Sequence, residues 1–284
     1  MGTDYSGYVD SAYLDVAAEM LSAAKRRTYE LMEPQVGDRV LDLGCGPGSD
    51  TVTLAGLVGD EGQVHGVDFD PEMVEEANGR AKAAGLDERV QHRQAEAASL
   101  PFDDDFFHAC RSERVFQHLP DPWLGLAEMI RVTRPGGRIV VLDTDYGSLS
   151  IASGVPEIER RVVGHYRSMV NSPFAARMLY RSFEEAGLDD VSFEVLPIAV
   201  DDLGAFSQTF VLDRVLQGAE DDGVLTTDEV RRFRVDLEQA AEVGGFFVSV
   251  QQLLVTGCKP DVSASPARSG SETAAESPAP TVQT

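Results

Sequence analysis

Residues 40–48 read VLDLGCGPG, and this stretch decides the fold. Val40, Leu41 and Leu43 form an apolar run of the length and kind of a buried strand, with Asp42 near its carboxyl end. Gly44, Gly46 and Gly48 follow at alternate positions and make a turn without Cβ atoms, against which a ligand can lie on bare backbone. Their spacing is GxGxG. The dinucleotide fingerprint, which cradles a pyrophosphate, is GxGxxG, its third glycine serving helix–strand packing. Asp42 and the tighter turn suit a cationic ligand without phosphate.

Outward from the turn, helical and strand patterns alternate. An amphipathic helical pattern covers Asp10 to Met32 through Leu14, Ala17, Ala18, Leu21 and Ala24, and Arg39–Leu43 is the first strand. A helix over Asp50–Leu57, a strand over Gln63–Asp68, a helix over Pro71–Ala84 and strands over Val90–Gln94 and Phe107–Ser112 come next. Trp123–Thr133 reads as a helix closed by the Pro-Gly-Gly turn at 135–137, and Arg138–Asp143 as the fifth strand. A helix over Pro173–Ala186 and strands over Val191–Val200 and Gly245–Thr256 complete the pattern. The alternation predicts an α/β fold, a Rossmann-like seven-stranded, mostly parallel sheet with helices on both faces.

Two stretches fall outside the sheet pattern. Residues 145–172 do not read as strand, and residues 203–243 hold two helical stretches around DDGVLTTDE, where Thr226 and Glu229 have capping-box spacing. Both are expected to be insertions, the second a helical cap, because it is too long for a hairpin loop. The expected organisation is therefore an N-terminal helical lid segment over 1–35, a main domain over 36–258 and a disordered Ser/Ala/Pro-rich tail over 259–284.

Open α/β sheets bind ligands at the carboxyl ends of their strands, where Gly44, Asp68, Glu96, Ser112 and Asp143 fall. A carboxylate at Asp68 can accept both hydrogen bonds of a ribose diol, or cap the helix that follows. Phe69 offers an apolar surface to a purine. Glu96 can accept from an adenine exocyclic amine, with the next backbone N–H, at Ala97, donating to a ring nitrogen. The segment FFHACRSERVFQHLPDP (106–122) then places Glu113, Arg114, Gln117 and His118 at the mouth of the sheet, where Glu113 and Arg114 can also simply pair with each other or with Arg111. His118 is either a general base or a residue that orients a neighbouring loop.

The formal net charge of −24 belongs to the body of the chain, since residues 259–284 carry two basic and three acidic residues. So acidic a body repels phosphate backbones and disfavours nucleic acid as a partner. No apolar run is long enough to span a membrane, and the first residues show no secretory pattern. Cys45, Cys110 and Cys258 lack metal spacing and are odd in number, which fits a reducing, cytoplasmic setting. The histidines are scattered, so no metal site is expected.

Taken together, VLDLGCGPG, VDFD at 67–70, LPFDDDFF, HLPDP and RPGGRIVVLD resemble, in order and spacing, the class I S-adenosylmethionine-dependent methyltransferases. The broad group in view includes the ubiquinone and menaquinone biosynthesis enzymes and bacterial natural-product methyltransferases. The resemblance implies that Gly44, Cys45 and Gly46 hold the methionine portion of S-adenosyl-L-methionine, with Asp42 supporting the turn. It further implies that Asp68 and Phe69 bind the adenosine ribose and base, that Glu96 and Ala97 hold adenine, and that the Ser112 backbone faces the methionine amino group. Glu96 stands where the group usually has aspartate. The expected acceptor is a hydrophobic small molecule, methylated at oxygen or carbon in bacterial secondary metabolism. Tyr8, Tyr13, Gln117, Tyr146 and Phe174 are the candidates to line its pocket, and His118 to act as base. The N-terminal helix leaves a homo-oligomer open. A methyltransferase fold that catalyses a cyclisation, or keeps the cofactor as a scaffold, is the alternative; an NAD-dependent oxidoreductase stands further behind.

Overall fold

The computed structural model of the chain describes residues 22–261. Helix α1 (Ser22–Met32) leads into β1 (Arg39–Leu43), α2 (Ser49–Val58), β2 (Gln63–Asp68), α3 (Pro71–Ala83) and β3 (Val90–Gln94). Next come β4 (Phe107–Glu113), a 3-10 turn (Phe116–His118), α4 (Pro122–Val132) and β5 (Thr133–Ile151). The remaining elements are α5 (Pro156–Ser168), α6 (Ala175–Glu185), β6 (Asp189–Val200), α7 (Leu203–Thr209), α8 (Leu212–Asp221), α9 (Thr227–Glu242) and β7 (Val248–Cys258). One seven-stranded sheet runs in the order β3-β2-β1-β4-β5-β7-β6. The first five strands are parallel, and β7 is antiparallel to both neighbours. Among the described residues, no helix is long and apolar enough to cross a membrane.

The period-two alternation of the strands builds a core on each face of this sheet. Val40, Val140 and Leu142 pack with Met32, Leu54, Ala55 and Val58 on one face. Leu41, Leu43, Ile139 and Val141 pack with Leu126, Met129, Leu179 and Phe183 on the other. Pro at the first turn starts α3 and α4, and Asp70 and Asp121 cap them by accepting from Glu72 N and Trp123 N. At α9, Thr226 and Glu229 form the capping box expected from their spacing.

Residues 203–243 hold three helices rather than the two stretches expected, and one strand boundary departs widely from expectation. The fifth strand was expected to end at Asp143, with 145–172 outside the sheet, but β5 continues to Ile151. After an irregularity it resumes pairing with β7, Ser150 opposite Ser249 and Ile151 opposite Val248. Burial explains the extension: Leu149, Ile151, Val248 and Val250 pack under α5, α7, α8 and α9, whose Ile158, Phe206, Val215 and Phe233 complete a third core. The extended ends of β5 and β7 thus carry a helical layer.

Candidate active site

The glycine turn owes its shape to backbone geometry. Gly44 N and Cys45 N both donate to Val67 O, at 2.7 and 3.0 Å, tying the end of β1 to β2. Gly44 has φ +73°, and a Cβ there would lie 2.1 Å from Val115 Cγ2. Only glycine fits, on both counts. Asp68 closes β2 and its carboxylate accepts from Gly46 N (2.8 Å) and Asp70 N (3.0 Å). Burial pushes its pKa up, against the pull of these amides. Asp68 therefore supports the turn. At the opposite edge of the turn, α2 begins with Ser49 and Asp50. Asp50 brings a carboxylate to the helix N-terminus, where a pyrophosphate would otherwise be favoured.

A cavity of about 760 Å³ opens along the carboxyl ends of the strands. Asp42, Gly44, Cys45, Gly46, Asp68, Phe69, Glu96 and Ala97 all line it, together with Gln117, His118 and Tyr146. Phe69 and Glu96 are exposed at its edge, while Ala97 is buried. Ser112 is not among the lining residues; it is wholly buried, with Oγ donating to Leu43 O at 3.0 Å. The strand runs one residue further than expected, and Glu113 and Arg114 line the cavity beside it. Phe174 is half exposed, within cation–π reach of Arg177, and is also not among the lining residues. Tyr8 and Tyr13 lie outside the described residues.

Beneath the glycine turn sits a charge cluster, of which the sequence foretold only the pairing of Glu113 with Arg111 or Arg114. Arg111, wholly buried on β4, contacts Asp42 Oδ1 at 2.9 Å, Asp50 Oδ2 at 3.1 Å and Glu113. Helix α1 adds Lys25, 2.6 Å from Asp50 and 3.1 Å from Glu113, and Thr28, whose hydroxyl accepts from Arg111 Nε. Tyr29, also on α1, donates its hydroxyl to Asp50 and packs its ring against Arg111. Burial pushes Asp42 up, and Arg111 offsets this only in part because Asp50 and Glu113 share the guanidinium. Asp50 is also penalised by burial, yet Arg111 and Lys25 hold it below the usual carboxylate range. The one signal in the sequence was a charged pair, Arg111 and Glu113, at alternate positions of the strand.

This cluster tests the implied cofactor. Asp42, Asp50 and Glu113 share Arg111, Lys25 and Arg114, and Asp42 Oδ2, although buried, meets no donor among the described residues. A buried acceptor without a donor is costly, and a ligand with a cationic donor group, such as the ammonium of S-adenosylmethionine, relieves that deficit. The cradle fits.

At the far end of the cavity, Tyr166, Met169, Ile198, Phe210 and Val250 form an apolar chamber. His118 stands between the two ends; burial, followed by the nearby Arg114 charge, lowers its pKa to about 4. Its Nε2 lies 2.8 Å from Gln117 Nε2. Asp143, at the end of the fifth strand's core, is pushed up to about 7 by burial although Gln117 N and Thr144 N donate to it.

Comparisons with known proteins agree with this architecture. A family profile described as "Methyltransferase domain" matches residues 34–187. A protein encoded in transposon TN4556 of Streptomyces fradiae is 33% identical over 247 residues, covering 86% of this chain and 70% of its own length. The 27-O-demethylrifamycin SV methyltransferase of Amycolatopsis mediterranei is 36% identical over 142 residues, 49% of this chain and 50% of that protein. The chain thus spans about half the length of this second relative. Geranyl diphosphate C-methyltransferase from Streptomyces coelicolor, solved with S-adenosyl-L-homocysteine, shares the fold at a TM-score of 0.54 and 20% identity, over 91% of this chain and 87% of that one. With the glycine turn, the acidic strand ends and the matching profile in hand, the chain belongs to the S-adenosylmethionine-dependent methyltransferase family.

Proposed function

We propose that this protein methylates an apolar small molecule at oxygen or carbon, in bacterial secondary metabolism. The observation that carries the reading is the continuity of one cavity, with the glycine turn and Asp68 at one end and an apolar chamber at the other. When bound, S-adenosylmethionine supplies an electrophilic methyl group on a sulfonium. The chain's own task is to align the acceptor and keep water out, which is where most of the rate of such a displacement comes from. Gly44, Cys45 and Gly46 hold the methionine portion, Asp68 and Phe69 the ribose and base, and Glu96 and Ala97 the adenine. The helices carried by the ends of β5 and β7 act as a cap that closes the chamber. Natural-product relatives such as the rifamycin methyltransferase support this acceptor class.

His118 is our candidate to accept the proton of an acceptor hydroxyl. With its pKa lowered to about 4 it stays neutral at pH 7, as a weak base whose Nε2 would take the proton by giving up the hydrogen bond from Gln117 Nε2. The test is to incubate protein, S-adenosylmethionine and a panel of phenolic, polyketide and terpenoid acceptors, and to follow S-adenosylhomocysteine together with a mass gain of one methyl group. Product formed without S-adenosylhomocysteine would replace transfer with a cyclisation.

A further inference from the structure

Three buried oxygens in the cavity wall bear on which acceptor fits. Gln117, Thr209 and Gln252 all line the cavity, and each is at least nine-tenths buried. They come from three separate elements: the 3-10 turn after β4, the end of α7, and β7. Gln117 Oε1, Thr209 Oγ1 and Gln252 Oε1 meet no hydrogen-bond partner among the described residues. Buried polar atoms left unpaired are costly, so three of them on side chains that line one cavity point to a ligand that supplies the missing partners.

The type of partner follows from what each side chain has already committed. Gln252 Nε2 points to Thr144 Oγ1 at 3.4 Å, its register neighbour on β5. Gln117 Nε2 lies against His118 Nε2, while its backbone N–H donates to Asp143 and its carbonyl accepts from Ser172 N. Both amide oxygens are therefore left as pure acceptors, on side chains whose positions are set by other bonds. What they need is a donor, an O–H or N–H.

The cations of the cavity argue against an anionic acceptor. Arg111 and Lys25 are held by Asp42, Asp50 and Glu113, and Arg114 Nε lies 3.4 Å from Glu113. Arg214, exposed at the cavity rim, is engaged as well. A carboxylate or phosphate entering the chamber would have to break one of these pairs.

We infer that Gln117, Thr209 and Gln252 select an uncharged, apolar acceptor that carries two or more hydroxyl or N–H donors along its length. This inference rests on the small-molecule reading above and specifies its acceptor. The methylated atom itself need not be one of the donors these oxygens bind.

A flavone series bearing no, one, two or three hydroxyls, with a carboxylated member, tests it. Binding is measured by calorimetry in the presence of S-adenosylhomocysteine, and turnover by S-adenosylhomocysteine release from S-adenosylmethionine. Affinity should rise with hydroxyl count, with the carboxylated member weakest. Gln252→Leu and Thr209→Val should each reduce binding of the trihydroxyl member about tenfold, with little change for the unsubstituted member. The Kd for S-adenosylhomocysteine should be unchanged, which, with an intact thermal transition, shows that each variant is folded. Equal affinity across the series, tighter binding of the carboxylated member, or no binding by any member overturns the inference. The graded binding pattern without methyl transfer to any probe would count against the transferase reading and leave the selectivity standing.

Discussion

Asp42 and Arg111 face each other in register across β1 and β4, with Nη1 2.9 Å from Oδ1 and both side chains shut away from solvent. The pair joins the strand that carries the glycine turn to the strand that leads to His118. It also recruits helix α1, through Thr28, Tyr29 and Lys25, to the same spot. A charged pair in a parallel sheet is expensive to bury, and here it sits at the end of the sheet that carries the glycine turn.

Arg111→Met tests how far the fold leans on that cluster. Removing the guanidinium leaves Asp42 without its ion-pair partner, while Lys25 still meets Asp50 and Glu113 and Arg114 still meets Glu113. Breaking a buried ion pair in this way costs about 3–5 kcal/mol. Urea unfolding should show the loss, and a change below about 1 kcal/mol would mean that the carboxylates are already protonated or hydrated.

Gly44→Ala separates two reasons for the glycine. The added Cβ meets Val115 Cγ2 at 2.1 Å, and the backbone at φ +73° is strained for any other residue. S-adenosylhomocysteine binding should fall at least about tenfold. Adding Val115→Ala removes the 2.1 Å contact, keeps the 3.2 Å approach of Val115 Cβ and leaves the backbone strain, so the double variant should recover binding in part. Full recovery would assign the whole requirement to the contact with Val115.

Asp68→Ala should weaken S-adenosylhomocysteine binding by about 1–3 kcal/mol, through loss of charge-assisted hydrogen bonds. Gly46 N would lose its acceptor at the same time, so stability should fall too. Unchanged affinity by calorimetry would remove the ribose assignment and leave Asp68 as a support for the turn.

The sheet and its ligand-binding edge were legible because their signals are local. Apolar alternation, alternating glycines and acidic residues at strand ends each occupy a few consecutive positions, and the strands formed close to where the pattern placed them. The charge cluster was not legible, since Arg111 meets partners 69 and 83 residues away. RSER supplies Glu113, but nothing in it specifies Asp42 or Thr28. Ser112 illustrates the same limit: its side chain turns to Leu43 O, so the cavity wall passes to Glu113 and Arg114. Gln252 and Thr209 gave no signal, because a lone polar residue in an apolar strand or helix acquires meaning only when the chamber around it is known.

His118 gives the sharpest pH prediction. An ordinary histidine loses its lone pair as pH falls through about 6.5. Burial and the Arg114 charge lower this one to about 4, so the neutral ring, the form able to accept a proton, persists from pH 8 down through pH 5. The part of the kcat/KM profile that depends on His118 should therefore be level across that range and fall only on approaching pH 4. His118→Ala should reduce turnover about 10²-fold at every pH in the range, with little change in S-adenosylhomocysteine affinity. A near-normal rate in that variant would leave the ring as a support for Gln117. A limb centred near 6.5 that vanishes in the variant would show instead that the ring is solvated when the acceptor binds.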